Sequence, residues 1–150
     1  MTDPARRATT LLGGELLGDA VHGIRAAWPR RPIIGWATVE LDRAERELEG
    51  TAAVDLPDDP LLGARCRRVE RPDGTEVVLL EPLTEGPLAA ALARHGEGPL
   101  ALYLVAAAGA PDGAGSGDYS LSGPADGPLG PERRVVVGPR DGPFVLLVAP

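Results

Sequence analysis

Residues Thr75–Val105, TEVVLLEPLTEGPLAAALARHGEGPLALYLV, hold two apolar runs around one helix-forming segment. The first run, Val77–Leu80, stops at Glu81-Pro82, and the second spans Leu100–Val105. Both are too short for a stable helix, rich in aliphatic residues and bounded by Pro or Gly, which predicts strands. Leu88–His95 between them predicts a short helix, closed by the turn Gly96-Glu97-Gly98. The unit is strand, helix, strand, and the rest of the chain reads as pieces completing the sheet it begins.

At 150 residues the chain is long enough to bury a core as one domain. Aromatics make up only 3% of it, so that core must be built from Leu, Val, Ala and Ile. The net charge of −7 argues against a general nucleic-acid binder, because phosphate contacts need excess positive charge. All 15 basic residues are Arg, with a local patch at Arg65, Arg67, Arg68 and Arg71. The single cysteine, Cys66, has no intramolecular partner and reads as a small buried or half-buried thiol. No apolar run approaches a membrane span and no signal-like segment forms at the N-terminus, so a cytoplasmic location is expected.

Upstream, Leu16, Leu17, Ala20, Val21, Ile24 and Trp28 form one stripe of an amphipathic helix that Pro29 ends. Ile33–Val39 predicts a strand whose internal Gly35 marks a close backbone approach. Asp42 stands where an N-cap would, opening a helix over Asp42–Leu48. Thr51–Leu56 predicts a weak strand, and Pro57-Asp58-Asp59-Pro60 a turn. Ala64–Arg71 and Thr75–Leu80 flank Pro72-Asp73-Gly74, a strong hairpin signal. Downstream, the Gly- and Pro-rich segment 106–130 predicts a long loop. Arg133–Val137 and Pro143–Val148 then make a closing hairpin, whose last strand is apolar on both faces and belongs inside the sheet. His22 and His95 carry no metal-ligand spacing; the first reads as a helix residue, the second as a helix C-terminal residue before Gly96. Gly113–Gly117 is glycine-rich, but no helix follows to point its amides at a phosphate.

This order approaches two βαβββ units in tandem. Ile33–Ala44 (IIGWATVELDRA), Val77–Pro82 (VVLLEP) and Pro87–Leu104 (PLAAALARHGEGPLALYL) resemble the vicinal oxygen chelate superfamily, the glyoxalase and methylmalonyl-CoA epimerase group; Gly138–Pro150 matches more weakly. The resemblance covers about half the chain and implies an α+β fold: tandem βαβββ units forming a curved mixed sheet, with an added N-terminal helix. The implied layout is one glyoxalase-like domain over 1–150. Within it, 1–32 is the helical extension, 33–105 the first unit and the start of the second, 106–130 the loop and 131–150 the closing hairpin. Members commonly hold a divalent metal with one ligand from each of four strands. The resemblance places those positions at Ile33, Val78, Ala101 and Leu146, all aliphatic here. Hydrocarbon offers a metal no donor, so neither metal nor cofactor is expected.

Strand alternation places further residues on the expected concave face: Glu76 with Val78, Tyr103 with Ala101, and Phe144 with Leu146. A two-residue hairpin at Asp73-Gly74 would set Val69 opposite Val78 and Arg67 opposite Leu80, adding Arg67 and Val69 to that face. The expected ligand-binding set is therefore Ile33, Arg67, Val69, Glu76, Val78, Ala101, Tyr103, Phe144 and Leu146. Apolar walls with a few polar groups suit an apolar small molecule, and the same residues suit a packed core with no pocket. A metal-free binding protein is the first functional reading. The second is a metal-independent isomerase or cyclase, with Glu76 as acid or base and Tyr103 as hydrogen-bond donor. An ordinary ion pair between Glu76 and Arg71 across the hairpin explains the same residue and is the simpler reading. The third is a noncatalytic scaffold or partner subunit. A homodimer is expected, with no nucleic-acid or membrane partner.

Overall fold

The computed structural model describes residues 33–83, 85–105, 120–136 and 144–149. The N-terminal helix, the Gly113–Gly117 motif, the rest of 106–119 and the turn over 138–142 lie outside them. In chain order the elements are β1 (Ile33–Ala37), α1 (Leu41–Glu47), β2 (Thr51–Asp59), β3 (Ala64–Glu70), β4 (Glu76–Pro82), α2 (Pro87–His95) and β5 (Gly98–Val105). Then follow β6 (Ser120–Leu121), β7 (Ala125–Gly127), β8 (Gly130–Val136) and β9 (Phe144–Val148). All nine strands form one mixed sheet in the order β2-β3-β4-β1-β5-β9-β8-β6, with β7 also paired to β8. It curves until β7 meets β2, so the sheet is nearly closed. This is the glyoxalase-like βαβββ arrangement. Among the described residues no helix is long and apolar enough to cross a membrane.

The central strands are there because their residues are apolar on both sides. Val77, Val78, Leu79 and Leu80 of β4 and all five residues of β9 are buried. Alternation sends Val78 and Leu80 to the concave face, with Ala37, Cys66, Ala101, Tyr103 and Leu146. Val77 and Leu79 go to the convex face, where Leu41 and Ala44 of α1, Leu48 at its C-terminal end and Val69 pack on them. Each fully buried Leu or Val stabilises by roughly 1.5–3 kcal/mol, so these two layers carry the fold. β9 lies between β5 and β8, as its two apolar faces require.

The two halves of the sheet repeat one pairing scheme about the antiparallel contact of β1 with β5, where Ile34 faces Leu102. β1 runs parallel to β4 with Gly35 beside Val78, and β5 runs parallel to β9 with Tyr103 beside Leu146. Beyond them Arg68 of β3 faces Val78, and Arg134 of β8 faces Leu146. A two-fold operation therefore exchanges Val78 with Leu146, Arg68 with Arg134 and Glu76 with Phe144. α2 joins the halves. Pro87 opens it, Arg94 and His95 lie in its last turn where the helix dipole favours cations, and Gly96 ends it at φ 80°.

Several expectations shift. β2 is a nine-residue strand that continues through Pro57 to Asp59, and the turn falls at Pro60–Gly63. As an edge strand it tolerates proline on its unpaired side. The segment expected to be a loop through residue 130 contains β6 and β7, because its polar residues pair with β8 in spite of their loop-like composition. α1 is capped at Glu40, not Asp42. Its first amide, Leu41 N, donates to Glu81 Oε2 at 3.0 Å, leaving Asp42 in the first turn to bind Arg67. The turn before α1 is held by Glu97, which accepts from Thr38 Oγ1 at 2.6 Å and Val39 N at 3.1 Å. The β3–β4 connection is longer than a two-residue hairpin, with Arg71 N donating to Thr75 O. Register moves by one: Val69 faces Val77 and Arg67 faces Leu79. A one-residue slip exchanges faces, so Arg67 and Val69 belong to the convex side.

Candidate functional site

The concave face gathers most of the expected residues. Ile33, Val78, Ala101 and Leu146 all belong to its apolar cluster. Val78, Ala101 and Leu146 are completely buried and Ile33 partly so. At their centre lies Gly35, and it is glycine for a steric reason. A Cβ there would lie 2.7 Å from Ala101 Cβ and 2.8 Å from Leu80 Cδ1, inside any real carbon contact. The expected close approach at Gly35 is thus present. The four positions do not fit a metal ion: hydrocarbon side chains have no lone pair to donate.

Glu76 stays on the concave side of β4 but pairs with Arg68, not Arg71, and is about a third exposed. Arg71 instead donates from Nε to Leu48 O at 3.3 Å. Paired with Arg68 and partly open to solvent, Glu76 makes an ordinary ion pair across β3 and β4. Arg67 bridges three elements on the convex side. It contacts Asp42 and Glu45 of α1 at 2.7 and 3.3 Å, and Asp55 of β2 at 2.7 Å. The hydrogen bond from Arg67 holds the Asp42 carboxyl below its usual range.

Inside the curve the structure assembles a polar group that sequence order hides. The Tyr103 hydroxyl donates to Asp59 Oδ2 at 2.7 Å. Asp59 Oδ1 accepts from Leu61 N at 3.0 Å and Leu62 N at 3.1 Å. Beside Asp59 stands Glu132, brought from β8 where the two ends of the sheet meet. Both acids are sealed from water, Asp59 at 0% and Glu132 at 1% exposure. Glu132 packs over the bare backbone of Gly127, where a Cβ would lie 1.5 Å from its Oε1.

Two buried carboxylates side by side cannot both ionise. Neither Glu132 oxygen meets a fixed donor, yet Asp59 already accepts three hydrogen bonds. The proton therefore stays on Glu132, hydrogen-bonded toward Asp59. Burial first, then the charge of Asp59, raises the Glu132 carboxyl from 4.5 to about 9. Burial, followed by Asp59, also holds the Tyr103 hydroxyl protonated well above its ordinary range. Tyr103 is thus on the expected face, but its proton is committed to Asp59. Cys66 is buried as expected, and desolvation with nearby Asp59 pushes its thiol up, away from thiolate.

A second polar element sits across from Leu146. Arg134 stacks on Phe144, its guanidinium carbon 4.6 Å from the ring centroid. Its Nε is buried with no acceptor among the described residues, and burial lowers the guanidinium pKa. Asp59, Glu132 and Arg134 were not among the expected site residues. A signal for Arg134 existed in the sequence. Arg67-Arg68-Val69 before Glu76–Pro82 (EVVLLEP) repeats as Arg133-Arg134-Val135 before Phe144–Pro150 (FVLLVAP), and it aligns β8 with β3.

No protein-family model matches the chain, and no curated protein matches it in sequence. Solved structures do share its fold. One variant of Streptomyces coelicolor methylmalonyl-CoA epimerase, in complex with 2-nitronate-propionyl-CoA, is 25% identical with a TM-score of 0.61, over 80% of this chain and 93% of that one. A second variant with the same ligand is 25% identical with a TM-score of 0.58, over 77% and 90%. A hypothetical protein from Bacillus halodurans C-125 is 19% identical with a TM-score of 0.56, over 81% and 96%. The chain has the fold of the glyoxalase and epimerase group, whose members bind small molecules.

Proposed function

We propose that this protein binds an apolar small molecule on the concave face of its sheet without the help of a metal. The observation that carries the reading is the inward placement of Ile33, Val78, Ala101 and Leu146 on that face. Where the resemblance puts metal ligands, a guest meets only hydrocarbon, so shape and apolar contact must hold it. The partly buried Ile33, Leu100 and Val105 extend this surface around the packed centre. A proton-transfer role for Glu76 has less support, since Arg68 neutralises it at a partly exposed position. A second reading is favoured by Gly35: a face too tight there for one methyl group suits a noncatalytic partner protein with a filled core.

Thermal unfolding with a panel of apolar compounds, in a strong chelator, separates the two. Saturable stabilisation that survives chelation supports the binding reading. A chain that no compound stabilises, or one that responds only with zinc, nickel or manganese restored, overturns it.

A further inference from the structure

The two-fold correspondence between the halves exposes one broken pair. In the first half Arg68, across from Val78, is neutralised by Glu76 two residues earlier on β4. In the second half Arg134 stands across from Leu146, and the residue two earlier on β9 is Phe144. The carboxylate has been exchanged for a ring, and the guanidinium lies over it. Among the described residues no acidic side chain pairs with Arg134, and its Nε has no acceptor. Glu132, on the same face of β8, is turned to Asp59 instead and shares a proton there. A partly desolvated cation with its internal counter-ion removed is a place for an external one.

We infer that Arg134 is an anion-binding residue of the concave face, holding the carboxylate of a small molecule whose apolar body runs along that face. The guanidinium fork matches a carboxylate, which two of its nitrogens can hold in parallel hydrogen bonds. A singly charged group is preferred over a phosphate, because one cation in a chain of net charge −7 offsets one negative charge. This inference rests on the binding reading above and deepens it.

The test compares hexanoate with 1-hexanol, which has the same chain length and no charge, by calorimetric titration of the full chain in chelator. Hexanoate should bind about tenfold or more tightly than hexanol. Arg134→Gln should bring hexanoate down to hexanol, and Arg134→Lys should keep part of the difference. Phe144→Glu restores the arrangement of the first half and should abolish the preference for hexanoate over hexanol. If a variant fails to fold, added chloride decides with the unaltered chain: it should weaken hexanoate and leave hexanol unchanged. Equal affinities for the two probes, hexanoate binding indifferent to Arg134→Gln, or no binding of hexanoate overturns the inference. Hexanol binding in those cases leaves the apolar-ligand reading standing, whereas a chain that binds neither loses both.

Discussion

Glu132→Gln should make this protein more stable, and increasingly so as the pH rises. Glu132 is at 1% exposure beside Asp59, and its carboxyl is raised from 4.5 to about 9 in the folded state. In the unfolded chain the same group ionises near its ordinary value. Below about pH 4.5 both states carry the proton, and the group's contribution to stability is fully present. As the pH rises toward 9 the unfolded state releases its proton while the folded state keeps it, and that contribution is lost. Each pH unit in this window costs the fold about 1.4 kcal/mol. Glutamine cannot ionise, and its amide donates to Asp59 as the protonated carboxyl does. Its advantage over glutamate should therefore grow by up to about 4 kcal/mol between about pH 5 and pH 8. Water admitted beside the carboxyl would reduce that figure. Any pH-independent cost of burying the amide drops out of the slope. Asp42 and Glu97, whose carboxyls are lowered by hydrogen bonds, finish titrating below this window and cancel between the two chains. Urea denaturation of both chains at several pH values measures the difference. A difference that stays flat across the window would refute the shared-proton pair.

Gly35→Ala should destabilise by about 2 kcal/mol or more in the same assay, because its methyl group would meet Ala101 and Leu80 inside contact distance. An unchanged midpoint would show that the centre of the concave face is looser than described. Tyr103→Phe deprives Asp59 of a buried donor and should cost about 1–3 kcal/mol; its urea midpoint should fall while the fold, read by circular dichroism, persists. Arg67→Met should cost no more than about 1 kcal/mol, since Asp42 and Asp55 are largely exposed. Its stability should also depend less on salt than that of the unaltered chain, and a large, salt-independent loss would contradict the surface ion-pair reading.

The element types were legible in the residues. Val77–Leu80, Leu100–Val105 and Phe144–Val148 are too short for helices and too apolar for edges, so they had to be central strands. Alternation then fixed which residues within one strand share a face. It placed Val78, Ala101, Tyr103, Phe144 and Leu146 correctly on the concave side. Alternation carries no information about how one strand slides against the next. The longer β3–β4 turn moved Arg67 and Val69 to the convex face by a single residue of register. Composition also failed for β6 and β7, since backbone pairing to β8 needs no apolar side chains.

The polar chemistry belongs to the tertiary structure. Asp59 reads locally as part of a Pro- and Asp-rich turn, and Glu132 as a charge before two arginines. Each acquires its character only when the sheet curves until β2 meets β7, setting two carboxyls in one dry space with one proton between them. Desolvation and charge–charge contact are properties of distance and surroundings, and a linear order of residues specifies neither. The residues themselves put hydrocarbon at Ile33, Val78, Ala101 and Leu146; only the folded sheet decided which two acids would be buried together and which cation would lie over a ring.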